Sequence, residues 1–120
     1  MSKLLVHITC GPENPTKAAL GFLVARTALN EGHEVSLFLA GDGVQLMRSA
    51  VLDTLVGLGT GSLREHFDAI VAANGQFYVS GKSSQGRGIT ASDLDDKSAT
   101  MAMSDKLVAL ALAANTTITY

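Results

Sequence analysis

Leu4-Leu5-Val6-His7-Ile8-Thr9-Cys10-Gly11-Pro12-Glu13-Asn14-Pro15 is the stretch whose reading decides the fold. Leu4–Ile8 is apolar, partly β-branched and stopped by a Gly-Pro pair, the pattern of a buried strand. Asn14 then stands as an N-cap with Pro15 at the first helical position. A helix is predicted from Pro15 to about Asn30. Gly32 falls just past its end, where a left-handed residue is wanted. A buried strand that runs straight into a capped helix is the first half of a β-α-β unit.

The rest of the chain repeats that grammar. His33–Leu39 reads as a second buried strand, followed by the turn Ala40-Gly41-Asp42-Gly43 and a short helix over Val44–Ser49. Val51–Leu58 is apolar but punctuated by Gly57, Gly59 and Gly61, and fits either a mobile flap or a packed subunit contact. Ser62 and Glu65 match a capping box for a helix from Leu63 to near Asn74-Gly75. Gln76–Val79 is a third strand, Ser83–Gly86 one helical turn, and Ile89–Lys97 a polar loop. Thr100–Met103 gives a fourth strand. Ser104 caps a helix over Asp105–Asn115, apolar nearly all round and so expected to be buried on more than one side. Thr116–Tyr120 is a closing strand. This order demands right-handed crossovers and predicts a single domain over residues 1–120: a three-layer α/β/α sandwich with a mostly parallel five-stranded sheet.

Composition narrows the function. The 120 residues are 47% apolar and 17% charged. That surplus in a small domain predicts a subunit surface and a homo-oligomer. Net charge is −2, with no basic cluster to neutralise phosphates and no tryptophan, which argues against nucleic-acid binding. Cys10 is the only cysteine, so neither an intrachain disulfide nor a cysteine zinc site can form. His7, His33 and His66 show no metal-ligand spacing, and no metal or cofactor is expected. No apolar run reaches the ~20 residues of a membrane span. The N-terminal residues lack a signal peptide's pattern, and the expected location is the cytoplasm.

In such a sheet the loops after the strand C-termini gather on one edge. Loop one carries Thr9, Cys10, Gly11 and Glu13. Loop two carries Gly41, Asp42 and Gly43. Loop three carries Ser80, Gly81, Lys82, Ser83 and Ser84, with Arg87 beyond. Glycines there allow close backbone approach, and Lys82 and Arg87 bring positive charge, so the edge fits a pocket for an anion or polar substrate. The same glycines equally serve ordinary turns. Cys10 is either a nucleophile before a helix N-terminus or a small buried hydrophobe. His7, three residues before Cys10, should point to the opposite face of the strand and so is no partner for it. Asp42 is expected to cap the next helix. Asp93, Asp95 and Asp96 read as a solvated charge run.

The ordered set of an apolar strand to Thr9, Gly11-Pro12-Glu13, Gly32-His33-Glu34-Val35, Gly41-Asp42-Gly43-Val44, Tyr78-Val79-Ser80-Gly81 and Arg87-Gly88-Ile89 resembles the DsrE/DsrF-like family. The resemblance implies the same sandwich fold and assembly into trimers or hexamers. For members with the family's cysteine it implies a sulfur relay with donor or acceptor proteins. In those members the cysteine that carries sulfane sulfur follows the third strand; the matching position here is Ser80, whose hydroxyl cannot hold a persulfide. Two readings remain open. Sulfur handling has moved to Cys10, a sulfurtransferase-like carrier helped by the third loop and by Lys82 or Arg87. Alternatively the chain is an oligomeric module that binds a small polar or anionic ligand through Gly11, Gly41, Asp42, Gly81, Lys82, Ser83 and Arg87.

Overall fold

Lys17 N–H donates to Asn14 Oδ1 at 3.2 Å, and α1 (Pro15–Asn30) starts behind that cap as its sequence predicts. It follows β1 (Lys3–Ile8) and leads into β2 (Glu34–Leu39) through Gly32 at φ +90°. The computed structural model describes every residue from Met1 to Tyr120. Next come a 3-10 turn (Gly41–Met47), α2 (Ser49–Leu52), and the two-residue strands β3 (Val56–Gly57) and β4 (Gly61–Ser62). Then follow α3 (Leu63–Ala72), β5 (Gln76–Ser80), α4 (Gly81–Arg87), α5 (Ala91–Leu94), β6 (Ala99–Ala102), α6 (Ser104–Ala113) and β7 (Thr116–Thr119).

Five strands form one parallel sheet in the order β6-β5-β2-β1-β7. Strand alternation splits the side chains cleanly. Val6, Ile8, Leu37, Leu39, Phe77 and Val79 face α1 and α3 and build the main core. Phe77 meets the rings of Phe22 and Phe67 at 5.5 and 5.0 Å. Burying a ring of that size contributes about 1.5–3 kcal/mol, and Phe77→Ala would lose about 3–5 kcal/mol. The opposite face carries Leu5, His7, Ser36, Phe38 and Tyr78, over which α6 lies alone.

That placement corrects the expectation for α6. None of its residues is buried; Val108 is 57% and Leu112 83% exposed. The helix is apolar all round, yet the sheet takes up only one side of it and nothing in the single chain covers the other. Ser104 is also the first helical residue rather than the cap. Met103 occupies the cap position and offers no side-chain acceptor.

Smaller departures have local causes. The short helix predicted over Val44–Ser49 is instead a 3-10 turn and α2, separated at Arg48, whose backbone is extended. Arg48 is held there by bonds to Gln45 Oε1 and to Arg87 O. The loop expected over Ile89–Lys97 contains α5, capped reciprocally by Thr90 and Asp93. The turn at Ser83–Gly86 grows to the whole of α4. Ser62 accepts from Glu65 N–H at 3.2 Å, which is one half of the capping box expected there. The glycine-punctuated segment folds as the β3–β4 hairpin packed on α1.

Candidate functional site

The three loops do meet at the C-terminal edge of the sheet. Loops one and two touch backbone to backbone. A Cβ on Gly11 would lie 2.2 Å from Asp42 O, and one on Gly43 would lie 2.3 Å from Ile8 O, so only glycine fits at either place. Gly41 N–H donates to Ser83 Oγ at 2.8 Å and ties loop two to α4. Arg87 Nε donates to Asp42 Oδ1 at 2.9 Å, and its Nη1 reaches Ser83 O at 3.2 Å. Asp42 therefore holds Arg87 and caps no helix, since the 3-10 turn starts from Ala40.

Ser80 ends β5 and accepts from Ser83 N–H at 3.2 Å, which makes its hydroxyl the N-cap of α4. Gly81 follows it closely against Met103: a Cβ there would lie 2.9 Å from Met103 Sδ. Lys82 is exposed and makes no ion pair. Ser84 is 1% exposed, and its hydroxyl has no hydrogen-bond partner.

Cys10 lies on the other side of this arrangement. It is 9% exposed and packs with the core on the α1 face. Burial first, and the Glu13 carboxylate second, push its thiol pKa up; Lys17 and a backbone hydrogen bond offset only part of this. Glu13 is fixed in place, for both of its oxygens accept from Gly11 N–H, at 2.7 and 3.0 Å. The helix-dipole argument from sequence is thus outweighed by desolvation and a like charge. Cys10 also does not neighbour Ser80. β2 lies between β1 and β5, a separation of two strand spacings, or about 10 Å. Loop two stands between the thiol and the third-loop groups expected to hold a persulfide.

His33 Nδ1 accepts from Ser2 N–H at the far edge. His7 points to the α6 face, edge-on to Phe38 at 6.2 Å. Burial lowers its pKa, and its Nε2 is enclosed without a partner. No group of three His, Cys, Asp or Glu side chains is placed to hold a metal ion, and no helix is long and apolar enough to cross a membrane. The acidic run is not simply solvated. Thr90 N–H donates to Asp93 at 2.9 Å, and Asp96 pairs at 3.2 Å with Lys97. Lys97 is itself 2% exposed, with Nζ also bonded to Ser49 Oγ and Asp93 O. Sequence reasoning missed Lys97 and Arg48. Only Lys97 left a signal, as a lone cation directly after three acids.

A parallel five-stranded sheet with helices on both faces and a loop edge of this make-up defines a DsrE-like sandwich. The sequence profile of the DsrE/DsrF-like family matches residues 2–120, and the chain belongs to that family. The crystal structure of the ychN protein from E. coli has the same fold, with a TM-score of 0.82 at 19% identity and 100% of both chains covered. No curated protein matches the sequence.

Proposed function

We propose that this chain is an assembling member of the DsrE/DsrF-like family, itself a family of sulfur-relay type, and that its loop edge receives a small polar or anionic ligand and carries no persulfide. The observation that carries this reading is the state of the two positions where sulfur could sit. Position 80 is a serine engaged in capping α4. Cys10 is buried, and its neutral thiol is favoured by burial and by Glu13. A persulfide carrier needs an accessible thiolate, and neither position offers one. The edge does offer Lys82, free of any ion pair, and Arg87 beside Gly41, Asp42 and Ser83. The exposed apolar side of α6 supports assembly into a homo-oligomer, trimer or hexamer. A cytoplasmic location accords with the absence of any membrane-crossing helix.

The test is intact-mass analysis of folded protein after exposure to a sulfane-sulfur donor, for wild type and Cys10→Ser. The expected result is no gain in either. A gain of one sulfur, reversed by reductant and absent from Cys10→Ser, overturns the reading. It would establish the second one: a sulfurtransferase-like carrier through Cys10 that exchanges sulfur with donor or acceptor proteins. Ligand binding is checked separately by a thermal-shift screen of small anions, in which a shift in wild type should shrink in Lys82→Ala.

A further inference from the structure

The β3–β4 hairpin stands outside the main sheet and rests on the first turn of α1. Its tip is the turn Gly57-Leu58-Gly59-Thr60, in which Thr60 N–H donates to Gly57 O and Gly59 takes φ +74°. Thr16 holds this turn from below. Leu58 N–H donates to Thr16 Oγ1 at 3.1 Å, and Thr60 Oγ1 donates to Thr16 O at 3.1 Å. Gly57 lies so close to the helix that a Cβ there would stand 2.9 Å from Ala19 Cβ and 3.1 Å from Pro15 O. The tip is therefore fixed, and it carries a leucine where turns usually carry polar residues or proline. Leu58 is 90% exposed, and Val56, two residues before it, 64%.

Beside this knob is a hole. Pro12, Pro15, Val51, Leu55 and Val56 wall an open apolar groove of about 240 Å³. A cavity of about 150 Å³ admits a benzene ring, so the groove has room for a leucine side chain. Val56 belongs to the groove wall and stands two residues from Leu58, roughly 7 Å along a strand. No residue lining the groove is charged, and neither is any from Val56 to Ser62. The charged residues that flank these segments are engaged within the chain: Asp53 pairs with Arg64 at 3.1 Å, and Glu13 accepts from Gly11 N–H at 2.7 Å.

These features select the occupant. A two-fold contact between identical chains needs one patch that is both knob and hole, because residue i meets j and j meets i. The patch must also be free of net charge, since a charged one would face its own sign. A different partner recognised by charge would find nothing here to pair with. We propose that Leu58 of one copy seats in the groove of a second copy, and Leu58 of the partner subunit in the groove of the first, across a two-fold axis at the hairpin. The fixed turn favours this docking, for no loop has to be ordered on contact. The patch is small: seven residues line the groove and Leu58 is an eighth, against about 20–30 a side in a stable interface. It does not hold two single chains together. It acts between assemblies already built through the open side of α6, where several such contacts form at once. The inference rests on that assembly and doubles the number of copies in it.

The experiment is light scattering on the full chain, at one protein concentration throughout. Leu58→Asp puts a charge on the knob, at an exposed turn tip, so its circular dichroism should match wild type while its mass falls to half. Thr54→Lys puts a charge on the groove and should halve the mass as well. An equal mixture of the two variants should recover the full mass. In the mixed pair the new acid enters the groove that holds the new base, and the native leucine enters a native groove. A full mass in Leu58→Asp, an odd number of copies in the wild type, or a mixture that stays at half overturns the docking. Failure of the α6 assembly reads differently: Leu112→Glu would then leave the wild-type mass unchanged, whatever Leu58→Asp does.

Discussion

Ser80→Cys, made in a Cys10→Ser background, tests the reading of the loop edge directly. It puts a thiol where the sequence resemblance places the family's sulfur-carrying cysteine. Ser80 Oγ accepts from Ser83 N–H at 3.2 Å, and loss of such a cap costs about 1 kcal/mol. For a chain of this length that lowers Tm by about 4 °C. The new thiol sits half-exposed at the start of α4, beside Lys82. A helix N-terminus stabilises an anion by about 1 kcal/mol, or about 0.7 pH unit. Starting from about 8.5 for a free thiol, the thiolate share at about pH 7.5 rises from roughly a tenth to roughly a third. Cys10 in the wild type moves the other way, with a raised pKa and 9% exposure. Alkylation of the native variant should therefore run at least about tenfold faster than that of native wild type, and the variant alone should gain a sulfur from a sulfane-sulfur donor. Equal alkylation rates would refute the electrostatic argument, and an unchanged Tm would refute the assignment of Ser80 as the cap.

Three further outcomes follow from particular side chains. Ser84→Ala removes a buried hydroxyl with no partner, so urea unfolding should show a change between neutral and about 1 kcal/mol of stabilisation; a clear loss would mean that the hydroxyl is bonded. Leu112→Glu puts a charge on the open side of α6 and should reduce the mass seen by light scattering to that of one chain, with its circular dichroism unchanged. His7 has its pKa lowered by burial. The unfolded chain therefore takes up this proton first, and stability is present above the unfolded value and lost as pH falls through the folded one. His7→Phe should flatten the acid side of the stability profile, and an identical acid limb would show that His7 is not its source.

The legible part of this chain is what one residue and its near neighbours decide. Asn14-Pro15 and Gly32 bracket α1, Ser62 starts α3, and the apolar runs ending at Ile8, Leu39 and Val79 mark strands that the sheet then orders as a parallel set. These signals are local: a cap needs an oxygen at the right place along the chain, and a buried parallel strand needs an apolar run. Short elements were harder to read. Two residues of β3 cannot declare a strand on their own, and the division of the 3-10 turn from α2 depends on Arg48 reaching Arg87, far along the chain.

By itself, then, the sequence determined the alternation of strands and helices, the three-layer class, and the family to which the chain belongs. Position 80 was already legible as serine, without the sulfur that a persulfide needs. Only the tertiary structure decided how the site residues behave. From sequence Cys10 was either a nucleophile before a helix or a small buried hydrophobe; burial and Glu13 decide for the second, and both are matters of what surrounds the thiol. Arg87 looked free to meet a ligand, but it holds Asp42. The apolar α6 looked like a core helix, but a five-stranded sheet has room to cover only one side of it. Burial, pKa and pairing are sums over neighbours that the chain brings together from distant positions, so they become readable only when the sheet order and the packing of the loops are fixed.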